Sequence, residues 1–432
     1  MKLKDVYFLV FLLCFSSYGL TLEIKRDKVT LISDEEPIRK IMQSFEEKGI
    51  SVLMDSNNIN DKKITGEWYN VSLEKLISTL AYPNDYIISW NRLSTPLGML
   101  DQVSRITIIG DNNALSLNTI PKHKALDVVK NNDGIFYVRN EIIVGFKEGS
   151  NLTNLELLLS QIGGIVKEVI DPPGLYIIKI QSNMNIEQVL AKTRSIQAID
   201  SVDMNRAFSN KGMPNISFSE ASSELNLNLK SSERVIAVFD SGIDPKYQDL
   251  PFILEPYNAI DPGSPVTDPT GHGTLVSLIA SGAIVPEGVS ANVDEVNVLP
   301  VCLFDENGYT SSHALFSALN YALDKGITDF NWSFGTDQPI PFFEEAINAA
   351  VERGARIYIA SGNNGEEGSV FPASSPKTFS IGSGNKNGIS QWSNYGDDVD
   401  AYYPGSVYFE GKRYIGTSFS SPYALYLNNP ID

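Results

Sequence analysis

From Glu233 onward, short apolar runs alternate with stretches of helical spacing. The runs Val235 to Phe239, Val296 to Val301, Ile357 to Ala360 and Phe379 to Ile381 are nearly continuous, as strands covered on both faces should be. Between them, Leu275 to Ala280, Ala314 to Leu323 and Phe343 to Val351 repeat apolar residues at helical intervals. This order predicts an α/β domain over residues 233–432 built on a doubly wound, mostly parallel sheet. In such sheets functional side chains collect in the loops past the carboxyl ends of the strands.

The pattern upstream is different. Ile38 to Phe45 and Leu73 to Leu80 have helical spacing, while Ile50 to Met54, Ile87 to Trp90 and Ile106 to Ile109 read as strands, so residues 20–118 predict a small α+β module. Residues 119–137, broken by Pro121, Asn131, Asn132 and Gly134, read as a linker. Residues 138–207 then run strand, helix, strand, helix, strand: Glu141 to Phe146, Leu155 to Ile162, Gly174 to Ile180, Ile186 to Thr193 and Ile199 to Val202. Residues 208–232, rich in Ser and Asn, suit an exposed connector where a processing cut could fall.

The amino terminus has the pattern of a secretory signal. Lys2 and Lys4 precede the apolar run Val6 to Phe15, and small residues end near Ser17 and Gly19, giving a cleaved segment 1–19. The run is short for a bilayer span. Its loss removes Cys14 and leaves Cys302 alone, so the mature chain is expected to hold no intrachain disulfide. A chain of 432 residues exceeds one ordinary domain, and 42% hydrophobic with 20% charged residues predicts folding throughout. The net charge of −18 repels phosphate backbones and anionic lipid, so nucleic acid and membrane surfaces are not expected partners.

Four positions carry candidate chemistry. Asp240 follows the first strand of the α/β domain and precedes Ser241-Gly242, a common turn signal that means little alone. His272 stands between Gly271 and Gly273 ahead of a helical run, and those glycines permit a close backbone approach that a surface histidine does not need. The other histidines, His123 in the linker and His313 near a helix start, read as solvated. Asn363 follows the strand ending at Ala360, where a Gly-Asn pair is either a turn or an amide donor, with Asn364 as its rival. Ser418, in Gly416-Thr417-Ser418-Phe419-Ser420-Ser421-Pro422, is placed at a helix start because Pro422 fits only a first turn, and a helix start favours a negative oxygen nearby.

The order Asp, His, Asn, Ser resembles that of subtilisin-like serine proteases, peptidase family S8. The likeness extends to Gly288-Val289, Val298 to Val301, Asn331-Trp332-Ser333-Phe334-Gly335, Phe371-Pro372-Ala373, Trp392 to Gly396 and Pro404-Gly405. It implies a secreted endopeptidase with Asp240, His272 and Ser418 as catalytic triad and Asn363 in the oxyanion hole. It also implies that Ser333, Phe334, Gly335 and Gly362 bind substrate, and that no cofactor is required for the chemistry. Residues 138–207 resemble the inhibitor-I9-type propeptide of that family, which implies a self-inhibited precursor whose partners are its own propeptide and protein or peptide substrates. The run from Gly49 through Trp68 to Leu76 resembles the short N-terminal domain found before secretins and TonB-dependent receptors, a module that could bind another protein.

The pattern departs from the family at Phe419 and Ser420, where Met and Ala are usual, and at Ser277 and Leu278, where a small Ala-Gly pair is usual. The apolar run Tyr423 to Leu427 predicts barely two helical turns behind the nucleophile, a weak support. The alternative reading is therefore a truncated, inactive relative that binds peptides or proteins. Asp397, Asp398 and Asp400 could hold a structural calcium ion, although a solvated acidic loop satisfies the same pattern.

Overall fold

The computed structural model describes residues 20–25, 28–54, 62–81, 85–109, 125–171, 173–182, 184–209, 216–219, 233–289, 296–336, 339–340 and 342–427. Residues 1–19, read as a signal segment, with His123 and the first part of the linker, lie outside the described residues. The chain forms two compact units, one from residues up to Thr119 with Asn140–Val169 and Tyr176–Val202, the other from Ile120–Arg139, Ile170–Leu175 and Asp203–Asp432.

The first unit opens with β1 (Leu20–Lys25), β2 (Lys28–Pro37), α1 (Ile38–Glu47), β3 (Ser51–Met54), β4 (Lys63–Ser72), α2 (Leu73–Ala81), β5 (Asp85–Thr95) and β6 (Gly98–Ile109). They make two three-stranded sheets, β1-β2-β4 and β3-β6-β5. Ile38, Ile41, Met42 and Phe45 of α1, spaced to share one helix face, are buried with Leu73, Leu76, Ile77 and Leu80 of α2 in one core. The α+β reading holds, with β1, β2 and β4 added to it.

Next come β7 (Val128–Lys130), β8 (Phe136–Phe146), α3 (Leu152–Ile162), β9 (Gly164–Ile170), β10 (Leu175–Ile180), α4 (Ile186–Arg194) and β11 (Ile199–Ser209). Both helices start in reciprocal caps. Asn151 accepts from the Asn154 amide, Asn185 accepts from the Gln188 amide, and each side chain three residues on reaches back. The linker reading needs correction at residues 128–130, which pair with β8; Asn131 Oδ1 accepts from the amides of Asp133 and Ile135 and so closes a hairpin turn.

The second unit continues with β12 (Ile216–Ser219), β13 (Val235–Asp240), β14 (Tyr257–Asn258), α5 (His272–Ala280), β15 (Asn297–Cys302), β16 (Tyr309–Ser311), α6 (Ser312–Asp324), β17 (Asp329–Trp332), α7 (Phe343–Glu352), β18 (Arg356–Ala360) and β19 (Phe379–Asn385). It ends with β20 (Gly388–Ile389), β21 (Ala401–Tyr403), β22 (Ser406–Phe409), β23 (Lys412–Ile415) and α8 (Thr417–Leu427). The main sheet has the order β14-β15-β13-β17-β18-β19-β20 with β21 beside β19, and all of its pairs but β19–β20 are parallel. The chain leaves β13 toward β15 and later returns to its other side at β17. The carboxyl end of β13 is thus the switch point where such sheets open a crevice.

Alternation along β13 shows how that strand is covered. Ile236 and Val238 join Leu275, Leu278 and Ile279 of α5 and Phe419 and Leu425 of α8 in one buried core, while Phe239 stacks on Trp332 with centroids 5.9 Å apart. Each such fully buried aliphatic side chain is worth about 1.5–3 kcal/mol. Two corrections concern the connector and the last helix. Residues 216–219, read as exposed connector, pair antiparallel with β23. Helix α8 runs for 11 residues rather than two turns, because it begins at Thr417 and passes through Pro422. The guanidinium of Arg234 donates to the carbonyls of Leu425 (2.6 Å) and Tyr426 (3.0 Å) and so closes the end of α8.

Candidate active site

Asp240 is the first polar residue at the carboxyl end of β13, and its side chain is 3% exposed. Its Oδ1 accepts from His272 Nδ1 at 2.7 Å, from the Ser241 amide at 2.7 Å and from Ser241 Oγ at 3.1 Å. A carboxylate can only accept, so the imidazole carries its proton on Nδ1 and turns a lone pair outward at Nε2. Nε2 is buried and has no hydrogen-bond partner among the described residues, and neither has Asp240 Oδ2.

His272 opens α5, so its ring is fixed by where that helix starts. A Cβ at Gly273 would stand 2.4 Å from the Gly242 carbonyl oxygen, which only glycine permits, and this contact seats α5 against the end of β13. Burial alone would lower the His272 pKa. The Asp240 carboxylate, its hydrogen bond and the charge of Asp268 outweigh that, so the pKa stands above the ordinary histidine value.

Ser418 lies in the first turn of α8, in agreement with the sequence reading. Pro422 does not lie in that turn; it is inside the helix. The missing Pro422 N–H would have served the carbonyl of Ser418, four residues earlier. Ser333 Oγ donates to that carbonyl instead at 3.0 Å, Asn331 Nδ2 donates to Ser333 Oγ at 2.9 Å, and Ser421 Oγ donates to Asn331 Oδ1 at 2.8 Å. This buried set makes an interior proline tolerable. The Ser418 hydroxyl faces the Ser333 carbonyl oxygen at 3.5 Å and not Nε2, although Phe419, the next residue, has its ring 5.6 Å from the imidazole. One side of the expected bridge, Asp240 to His272, is formed. The other, from His272 to Ser418, is not formed; such bonds are commonly loose before substrate binds.

Asn363 follows β18. Its Oδ1 accepts from the Thr417 amide at 2.8 Å and from Thr417 Oγ1 at 3.0 Å. An amide nitrogen cannot accept those bonds, so the orientation is fixed and Nδ2 points away. Nδ2 is buried, without a partner among the described residues, and 3.7 Å from where a side chain at Gly416 would begin. Its rival Asn364 instead has its backbone N–H bonded to Asn394 Oδ1. Gly362 has φ +117°, and a Cβ there would lie 2.6 Å from Asn394 Nδ2.

Ser333, Phe334 and Gly335 follow β17. The Phe334 ring meets Phe304 at 5.6 Å and Phe208 at 5.9 Å, and Phe208 also meets Phe343 at 5.4 Å. Ala207, Phe208 and Ser209 pair antiparallel with Ser311, Thr310 and Tyr309 of β16. An extended piece of the chain therefore lies beside Phe334 as an added strand.

At the departures from the family pattern, Phe419 is fully buried, Leu278 joins the same core, and the hydroxyls of Ser277 and Ser420 are buried without partners among the described residues. The sequence reading missed Asp268 and gave Asn331 no role beyond the family likeness. The signal for Asp268 was an acid shortly before a helix start. His313 keeps its backbone N–H on Asn205 Oδ1. Cys302 is buried and free, its thiol pushed up to about 12 by burial. Asp398 and Asp400 accept from the amides of Ser369 and Ser380, and no three His, Cys, Asp or Glu side chains converge as a metal site among the described residues. No helix among those residues is long and apolar enough to cross a membrane.

Residues 231–427 match the Subtilase family, and residues 123–205 match the Fervidolysin N-terminal prodomain. Neither match reaches the N-terminal module, and its resemblance to the secretin and TonB-dependent domain finds no support. The chain is 27% identical over 310 residues to the thermophilic serine proteinase of Bacillus sp. (strain AK1), covering 66% of this chain and 76% of that protein. It is 29% identical over 216 residues to Subtilisin Savinase of Lederbergia lenta, covering 48% of this chain and 79% of that protein. In fold it resembles the crystal structure of fervidolysin from Fervidobacterium pennivorans, described as a keratinolytic enzyme related to subtilisin, with a TM-score of 0.55 at 17% identity over 73% of this chain and 58% of that one. Residues 231–427 are thus a subtilase-family, subtilisin-like peptidase domain, with a fervidolysin-type prodomain ahead of it at residues 123–205.

Proposed function

We propose that the chain is the precursor of a secreted or periplasmic endopeptidase in which Asp240, His272 and Ser418 form the catalytic triad and Asn363 donates to the oxyanion. The observation that carries this reading is the 2.7 Å bond from His272 Nδ1 to Asp240, which leaves a buried, unpartnered Nε2 beside the helix that bears Ser418.

His272 Nε2 takes the Ser418 hydroxyl proton as Oγ bonds to a peptide carbonyl carbon, whose π electrons move onto oxygen. Asn363 Nδ2 and the Ser418 amide meet that charge. When the carbonyl re-forms, the C–N bond breaks and the imidazolium proton leaves on the amine. Water then attacks the acyl-enzyme, gives its proton to Nε2, and the Ser418 oxygen departs and recovers that proton. Asp240 never gives up its charge; it holds the tautomer and stabilises the imidazolium. Catalysis in this family generally needs no cofactor, and the separate backbone duties of Asp398 and Asp400 give no support to a calcium site.

Ser333, Phe334, Gly335 and Gly362 bind the substrate, with a preference for apolar or aromatic side chains before the cut bond. Two observations support self-inhibition: the β11–β16 pairing, and Phe208 packed on Phe334 where an extended substrate would lie. The test is hydrolysis of a denatured protein by the processed enzyme, which Ser418→Ala and His272→Ala should each abolish. Equal hydrolysis by either variant would rule the triad out.

A further inference from the structure

The Asp268 carboxylate is the most heavily engaged acceptor near His272, and the triad does not include it. Its Oδ1 accepts from Thr270 N (3.2 Å), Thr270 Oγ1 (2.9 Å), Gly271 N (3.0 Å) and Ser241 Oγ (2.8 Å). Its Oδ2 accepts from Thr274 N (2.8 Å) and Thr274 Oγ1 (2.7 Å). Thr274 is the third residue of α5, and Gly271, which precedes the helix, has no side chain with which to cap it. Asp268 therefore does the work of a cap residue from outside the helix, with its charge on the favourable end of the helix dipole.

The same carboxylate reaches the triad through one hydroxyl. Ser241 Oγ stands 2.8 Å from Asp268 Oδ1 and 3.1 Å from Asp240 Oδ1, and it also accepts from the Gly273 amide at 3.0 Å. It has a single proton to share between two carboxylates. Gly273 is the residue after His272. A short circuit of hydrogen bonds thus runs from Asp268 through Ser241 to Asp240, and from both back to the first turn of α5.

We propose that Asp268 is a positioning residue of the catalytic apparatus: it fixes the start of α5 against β13, so that His272 meets Asp240, and adds a second negative charge that favours the imidazolium formed during attack. The proposal rests on His272 acting as the general base. Two carboxylates act on His272, Asp240 from β13 and Asp268 from the loop ahead of α5, and both oppose its burial. Helix α8, packed on α5, brings no charged side chain over residues 417–427. A simple cap would stabilise the helix and leave the base's proton affinity alone; this carboxylate stabilises the helix and also favours the protonated base.

The experiment compares Asp268→Asn, Asp268→Glu and the wild type by steady-state kinetics from about pH 5 to 9, with fluorophosphonate labelling of Ser418 as a check on the base. For Asp268→Asn the expected result is a loss in kcat of roughly tenfold or more, KM within about twofold, and an acidic limb moved to lower pH, because a neutral neighbour no longer favours the charged imidazole. Asp268→Glu, which keeps the charge, should hold the limb near its wild-type position. A folded Asp268→Asn enzyme with unchanged kcat and limb overturns the proposal, even if it melts earlier. Should that variant not fold, titration of His272 by NMR in the wild type decides: a pKa at or below about 6.5 overturns it. A wild-type enzyme that fails to label sinks the triad reading itself, which is a different failure.

Discussion

Ser333 Oγ donates to the carbonyl oxygen of Ser418 at 3.0 Å and replaces the N–H that Pro422 lacks. Ser418 is thereby held from two directions, by its helix and by the loop after β17. Ser333→Ala leaves a buried carbonyl unpaired in the first turn of α8. We expect a stability loss of about 1–3 kcal/mol in urea denaturation and a fall in kcat that exceeds any change in KM.

Asn363→Ala removes the Nδ2 donor proposed for the oxyanion, whose orientation the two Thr417 bonds to Oδ1 fix. Turnover should fall about 100- to 1000-fold with little change in KM. That magnitude is the one known for a subtilisin asparagine. Steady-state kinetics on a peptide amide check it.

Because the His272 pKa is raised, the acidic limb of kcat/KM should lie above about pH 6.5, the value of an unperturbed histidine. The linkage has the opposite sense for stability. The pair's contribution is fully present below the unfolded value near 6.5 and is lost as pH rises through the folded value, so activity appears over the window in which this contribution fades. Rate and melting profiles over about pH 5 to 9 should cross in this way.

Asp329, its side chain 7% exposed, is paired with Arg234 and Arg356, and Arg234 also closes α8. Arg234→Ala strips a charge from a buried carboxylate and bares two helix-end carbonyls. A loss of about 3–5 kcal/mol is expected, measured by denaturant unfolding of the Ser418→Ala background to avoid autolysis.

Phe208→Asp should loosen the strand held beside β16 by placing a charge among Phe334 and Phe343. We expect the unprocessed precursor to label faster with an active-site probe than wild type. Equal labelling rates would count against self-inhibition through this segment.

Much of the peptidase unit was legible because parallel strands buried on both faces leave unbroken apolar runs, and because Asp240, His272, Asn363 and Ser418 each sit at the end or start of such an element. Other features were hidden for physical reasons. Strand β17, Asp329 to Trp332, mixes Asp and Asn with aromatics because Asp329 is paid in arginine charge and Asn331 in the Ser333–Ser421 network, so it does not read as apolar. The true length of α8 was obscured because the partner that rescues its interior proline is 85 residues away in sequence. Asp268 was passed over because its meaning depends on Ser241, which only folding brings to it.

The most direct test is mass spectrometry of the processed protein after reaction with a fluorophosphonate. One adduct, confined to the peptide that carries Ser418 and abolished in both Ser418→Ala and His272→Ala, is the predicted result. An unmodified Ser418 in folded, processed protein would contradict the account.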